Sequence, residues 1–227
     1  MLALLLAVST QAAAAAAPSP AVAAAPSDPL APYLRDTPRC DPARAHCFGI
    51  HLHIVQTADG PVQTAEWVSE QLTHVHKHFA LIDTGLEIVA VDSLSAKELD
   101  IDDRDERDAL GHDRFTRGVA HVFVVGRLAD VDIAGNDIQG VHWRERADRS
   151  RRWVILARRA SPLVLSHELG HFFGLRHSTY DISLMNKTVR PIAGELTFAE
   201  PEVAIMRKHR DRMLKSKMLL ERKQPAE

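Results

Sequence analysis

The sequence predicts an α/β (α+β) fold built on a twisted, mostly parallel sheet, and three observations carry that expectation. The stretch "CFGIHLHIVQ" (47–56) sets Phe48, Ile50, Leu52 and Ile54 in alternation with Gly49, His51, His53 and Val55, which is strand periodicity. "TAEWVSEQLTHVHKHFAL" follows, with Val68, Leu72, Val75 and Phe79 on one helical face behind a capping Thr64. The β-branched runs "LEIVAV" (86–91) and "VAHVFVVG" (119–126) come next. A strand, a helix and a strand in succession require a crossover, and crossovers join parallel strands.

The remaining elements extend this frame. "IQGVHWR" (138–144) and "RRWVIL" (151–156) flank the polar loop "ERADRS" and read as two more strands, one of them an antiparallel edge. "AKELDIDDRDERDALGHD" (96–113) alternates in charge and lacks the ligand order of an EF-hand, so a solvated helix or loop is expected. Residues 199–223 read as a C-terminal helix, docked with a basic outer face: Arg207 to Lys223 holds eight Lys/Arg against two acids. The histidine pairs His51/His53 and His74/His78 have no acidic or cysteine neighbour at ligand spacing and are expected to face solvent.

At 227 residues, 45% hydrophobic and 26% charged, the chain is long enough for one domain with appendages. A formal charge of -2 provides no general attraction to nucleic acid or to an acidic membrane, and no nucleic-acid partner is expected. No apolar run reaches the length of a membrane span. Residues 1–25 open with "LALLLAV" and an alanine-rich tract, which reads as a signal peptide and implies a secreted or periplasmic protein, although the basic n-region is missing. Residues 26–46 contain five prolines and are expected to form a linker or short pro-segment without helix. The domain is then 47–220, with 221–227 as a tail and a monomer as the expected state.

The chemistry is concentrated in "HELGHFFGLRH" (167–177). Ser161-Pro162 is a favourable helix opening, and the apolar run after it continues as helix. On that helix His167 and His171 are four apart and project together, with Glu168 beside them. Two imidazoles can grip one zinc while the carboxylate reaches a water on the metal's open side. Gly174 ends the helix, letting the chain turn so that His177 approaches from another direction. Three protein ligands with a fourth position left for water is the pattern of a catalytic zinc. Five fixed positions (His167, Glu168, His171, Gly174, His177) arise by accident about once in a few million starts, so the short-motif objection is weak.

With those residues in view, the chain resembles the metzincin clan of zinc endopeptidases, whose signature HExxHxxGxxH is followed by a methionine turn. "HSTYDISLMN" (177–186) supplies Met185 eight residues after His177. In the family that methionine lies beneath the metal as a hydrophobic floor and is not a ligand. Ser178, the short spacing and the "LM" pair look most like the matrixin branch. The resemblance is specific over 162–186 and consistent in element order over 47–160. It implies one catalytic Zn2+ held by His167, His171 and His177, Glu168 as general base, and a protein or peptide substrate paired with an edge strand at 138–144 or 151–156.

The chain departs from matrixins at several points. Asn186-Lys187 stands where they carry proline shortly after the methionine. His112, Asp113, His121 and His142 do not have the spacing of their structural zinc and calcium loops. "PRCDP" (38–42) is similar to the Pro-Arg-Cys of matrixin zymogens, whose thiolate occupies the zinc, but the following glycine is absent. Cys40 and Cys47 are also the only two cysteines, which in an oxidising compartment suggests a disulfide. Both readings of Cys40 stand at this level. So do two alternatives to an endopeptidase: a zinc-binding scaffold without turnover, and a zinc hydrolase of other carbonyl substrates.

Overall fold

The computed structural model describes residues 28–188 and 194–222, so the expected signal peptide and most of the tail lie outside the described residues. The elements run α1 (Ala31–Arg35), β1 (His46–Thr57), β2 (Gly60–Pro61), α2 (Ala65–Phe79), β3 (Thr84–Leu94), β4 (Asp100–Ile101), α3 (Arg104–His112), β5 (Val119–Val125), β6 (Arg127–Leu128), β7 (Gly140–Arg144), β8 (Arg152–Ala157), α4 (Val164–Phe172) and α5 (Glu200–Lys215). The main sheet runs β2-β1-β5-β8-β7, with β3 also paired to β1. β1 is parallel to β3 and β5, and β5 to β8, whereas β7 is the antiparallel edge on β8. The expected mixed sheet is present, and of the two candidate edge strands β7 is the one that lies at the edge.

Strand alternation divides the interior into two layers. Phe48, Ile50, Leu52 and Ile54 of β1 join Val122, Val124, Val154 and Leu156 under α2, α4 and α5. Val55, Phe123, Val125, Trp153 and Ile155 face the other way, into a smaller core roofed by α3. α2 seats Val68, Leu72, Val75 and Phe79 in the larger core as the periodicity predicted, and Thr64 caps it by accepting the Trp67 N–H. The charge-dense segment forms α3, begun by a reciprocal capping box between Asp103 and Glu106, so it is a helix. Its Gly111 lies against Trp153, where a Cβ would come within 2.4 Å of the ring.

Three expectations are corrected. Residues 31–35 are helical despite the prolines, because Pro32 sits at the start of the helix, where no N–H is needed. Tyr33 of that turn is buried, and its hydroxyl donates to the Gln63 carbonyl. The C-terminal helix stops at Lys215: Lys217 takes φ 56°, and the chain returns to pair Leu219 with Gly118 and Glu221 with Phe48. α5 is docked as expected, through buried Val203, Met206 and Met213. His53 and His78 are buried, not solvent-facing.

Cys40 and Cys47 form a disulfide, so Cys40 is not a free thiol available to a metal. The bridge fastens the segment before β1 to the sheet, and buried Glu87 of β3 accepts the Cys40 amide at 3.1 Å. Arg39 and Arg222 both pair with the same carboxylate, joining the two ends of the described chain.

Candidate metal centre

α4 begins at Val164, two residues later than Ser161-Pro162 predicts, and no side chain of its own turn caps it. The cap comes from α2. Buried Gln71 accepts the Leu165 N–H at 3.0 Å and donates to the Ser161 carbonyl at 2.8 Å. One amide thus serves the free Leu165 N–H and adds a second donor to the Ser161 carbonyl, which also accepts the Val164 N–H. At the other end Gly174 takes φ +95°, and the Leu175 N–H returns to the Gly170 carbonyl at 3.0 Å, closing the helix as a left-handed glycine does. A Cβ on Gly174 would meet the His209 ring at 2.4 Å, so glycine is required for space as well as for conformation.

These two ends bring His167, His171 and His177 together, with ring centroids 4.6 to 5.4 Å apart. The tautomers of two rings follow from their partners. His167 Nδ1–H donates to the Leu184 carbonyl at 2.7 Å and His171 Nδ1–H to the Leu175 carbonyl at 2.9 Å. Carbonyls only accept, so each neutral ring keeps its proton on Nδ1 and presents a bare Nε2. His171 Nε2 lies 3.2 Å from His177 Nε2. Zinc bonds of about 2.0–2.1 Å at tetrahedral angles place ligand atoms roughly 3.3–3.4 Å apart, so the donor set fits that ion. Burial lowers His171 and His177 to about 4, keeping both bases neutral at ordinary pH.

Met185 has no exposed surface and lies under α4, where a Cβ on Gly170 would come within 2.8 Å of its Sδ. The turn that carries it is held by α5. Ser183 Oγ–H donates to the Glu202 carboxylate (2.7 and 2.8 Å) and accepts the Met185 N–H at 2.9 Å. Glu202 also accepts the Ala199 N–H at 2.8 Å, capping α5 in place of the alanine side chain. Buried Ser183 and Glu202 therefore position the Leu184 carbonyl that orients His167.

Glu168 is buried against β7, where its carboxylate accepts the His142 backbone amide. Burial pushes its carboxyl up to about 8, against the opposing pull of the His142 backbone amide, Arg107 and Lys187. Gly140 permits this closeness, since a Cβ there would meet Val164 at 2.6 Å and the Glu168 Cγ at 3.1 Å. The cleft in front of the site measures about 930 Å³ and is lined by Gly140–His142, His167, Glu168, His171, His177 and Lys187. Arg107 forms part of its far wall, buried with its guanidinium on the Ala129 carbonyl (2.6 Å) and 5.0 Å above the Trp143 ring.

Gln71, Ser183, Glu202, Gly140 and Arg107 are not among the residues the sequence marks out, and Lys187 is marked only as a departure after the methionine. Each acts across a separation set by the tertiary fold. Only Lys187, directly after the methionine turn, had a local signal.

The family model for the peptidase family Matrixin matches residues 95–202, from just before α3 to the first turn of α5, with the three histidines, Glu168 and Met185 inside it. The chain is matrixin-like. The matrixin-like segment makes up a little under half the sequence, and β1 and β3 precede it. No curated protein matches the chain. Among solved structures, metalloproteinase-II from Bacteroides fragilis is similar at a TM-score of 0.49 and 10% identity, covering 76% of this chain and 56% of that one. This chain thus spans a little over half the length of that protein.

Proposed function

We propose that this matrixin-like chain is a zinc-dependent endopeptidase in which Glu168 is the general base. The observation that carries the reading is the pairing of three converging imidazoles with a buried carboxyl that is not needed as a ligand. A zinc ion held by His167, His171 and His177 would acidify a water and polarise a carbonyl. Glu168 takes the water's proton and passes it to the leaving amine, which requires a group able to hold a proton near neutral pH. Its burial favours the protonated form, and the cationic Arg107 and Lys187 favour the ionised one, so the two states are brought within reach of each other.

The edge strand supplies substrate binding. The Glu145 amide bonds to Arg151 and the Ala157 amide to Gln139, so the odd-numbered positions of β7 face β8. By ladder alternation the main-chain groups of Gly140, His142 and Arg144 face outward. An extended peptide pairs with Gly140, Arg144 and the His142 carbonyl by backbone hydrogen bonds, the His142 amide being held by Glu168, which gives affinity without strong side-chain preference.

Export belongs to the same proposal. The apolar leader and the Cys40–Cys47 bond both suit an oxidising compartment. No described helix is long and apolar enough to cross a membrane.

Glu168→Gln tests the reading. It should keep the zinc of His167, His171 and His177 while lowering casein cleavage about 10²- to 10⁴-fold, roughly 3–5 kcal/mol of barrier. His171→Ala should lose that zinc and the activity together. Cleavage by the glutamine variant at the parent's rate would remove Glu168 as base, and a zinc-loaded parent that cleaves no peptide would remove the endopeptidase.

A further inference from the structure

A second group of imidazoles lies on the sheet face turned away from α4. β1 carries His51 and His53 two residues apart and therefore on one face. β5 places His121 in register with His51, and β3 places Asp92 in register with His53. Three adjacent parallel strands thus direct three imidazoles to one spot, with Asp92 beside two of them. His53 Nε2 is 2.9 Å from His121 Nδ1, and one ring nitrogen from each histidine lies within 4.8 Å of the others. Asp92 Oδ2 is 2.8 Å from His51 Nε2 and 3.7 Å from His53 Nδ1.

Packing alone leaves this cluster unsatisfied. His53 has no exposed surface, yet its Nδ1 has no hydrogen-bond partner. His51 Nε2 is also buried without one, because its approach to Asp92 is close but not aligned. Buried polar atoms without partners are uncommon in folded proteins and call for an explanation. His121 is oriented from behind: its Nε2 lies 3.1 Å from the Thr116 carbonyl, which in one tautomer accepts Nε2–H and leaves Nδ1 bare toward the cluster. The Thr116 amide, 3.0 Å from the same atom, satisfies the other tautomer.

We propose that His51, His53 and His121 hold a second zinc ion, with Asp92 beside His51 as an outer carboxylate on the solvent side. Three imidazoles suit a borderline ion better than calcium or magnesium, which take oxygen ligands. Asp92, its side chain 59% exposed, marks the entrance. His51, His53 and Asp92 all precede residue 95, outside the matrixin-matched segment. The site joins β3, β1 and β5 and contributes nothing to the cleft, so its role is to tie the sheet together.

The test uses the full chain with the first centre dismantled by His171→Ala/His177→Ala, which leaves His167 alone there. Protein dialysed against micromolar zinc is measured for zinc per chain, and its melting temperature is followed with zinc and with chelator. The parent should hold two ions and the double variant one, with a zinc-dependent rise in melting temperature. Adding His51→Gln should remove that ion and the rise, and Asp92→Asn should weaken binding about 10- to 100-fold. A double variant that holds no zinc would overturn the proposal, as would one whose ion survives His51→Gln. The deciding sample keeps the cluster intact, so misfolding of the His51 variant cannot decide the result, and no step depends on proteolysis.

Discussion

Replacing Ser183 by alanine should loosen the methionine turn and, through it, His167. The hydroxyl has two roles that alanine cannot fill: it donates to the Glu202 carboxylate and accepts the Met185 N–H. Losing a hydrogen bond to a charged group removes about 1.5–3 kcal/mol, and leaving a buried N–H unpaired removes about 1–3 kcal/mol more. Ser183, Met185 and Glu202 are all buried, so water cannot readily replace the missing group. The expected loss is about 3–5 kcal/mol, a fall in melting temperature of roughly 10 °C for a chain of this size. Thermal unfolding followed by circular dichroism with chelator present measures it free of metal coupling. Because the turn also positions the carbonyl that orients His167, zinc affinity should fall about 10- to 100-fold. Glu202→Gln, which keeps one carboxyl-type oxygen, should lose less. If Ser183→Ala melts within about 2 °C of the parent and binds zinc equally well, the chain from α5 to His167 is not what holds the site.

The other predictions concern separate parts of the molecule. Met185→Leu should retain zinc and lose at most about 1.5 kcal/mol, as volume-conserving swaps do, and loss of the metal would show that the turn does more than pack. Reducing or replacing Cys40 and Cys47 should remove about 2.5 kcal/mol from the short loop they close, read by urea unfolding, and intact mass of exported protein should show no alkylatable thiol. Burial holds His78 below its ordinary range even though the Leu196 carbonyl accepts its proton, so the unfolded chain protonates first as pH falls. Stability should therefore decline below about pH 6.5, the His78 share being up to about 1.4 kcal/mol per pH unit until His78 itself titrates, and His78→Gln should reduce the slope by that share while the other buried histidines keep theirs. A slope unchanged by that substitution would show that His78, facing His74, Lys77 and Glu195, is not the group involved.

Where an element's reason for forming lies within its own few turns, the sequence reading and the structure agree. α2 shows this: its cap, its apolar face and its length come from residues 64–79 alone. α1 and the end of α5 were misread because the decisive terms are nonlocal or positional. Proline at a helix start is harmless, and whether a helix continues past Lys215 depends on what the sheet offers the next residues. The α4 start was placed two residues early for a related reason. Ser161 looks like a cap in sequence, but Gln71, ninety residues earlier, makes the hydrogen bonds.

The same division runs through the metal sites. His167, Glu168, His171, Gly174 and His177 lie on one helix and its closing turn, so eleven consecutive residues determine their relative placement. The second histidine group has no such local form. Period-two alternation correctly put His51 and His53 on one face of β1, but it says nothing about whether that face is covered or which strands lie beside it. Both facts were decided elsewhere. Residues 112–117 fold the chain over from α3 into β5, setting Phe115 and Thr116 against His121, and the parallel register of β3 and β5 brings Asp92 and His121 to the pair. An i, i+2 histidine pair on the central strand of a parallel sheet is therefore ambiguous until its neighbours are known. With a polar neighbour strand and open solvent it is a surface pair. With a histidine in register on one side, an aspartate on the other and a cover above, the same two residues acquire the donor set of a metal site.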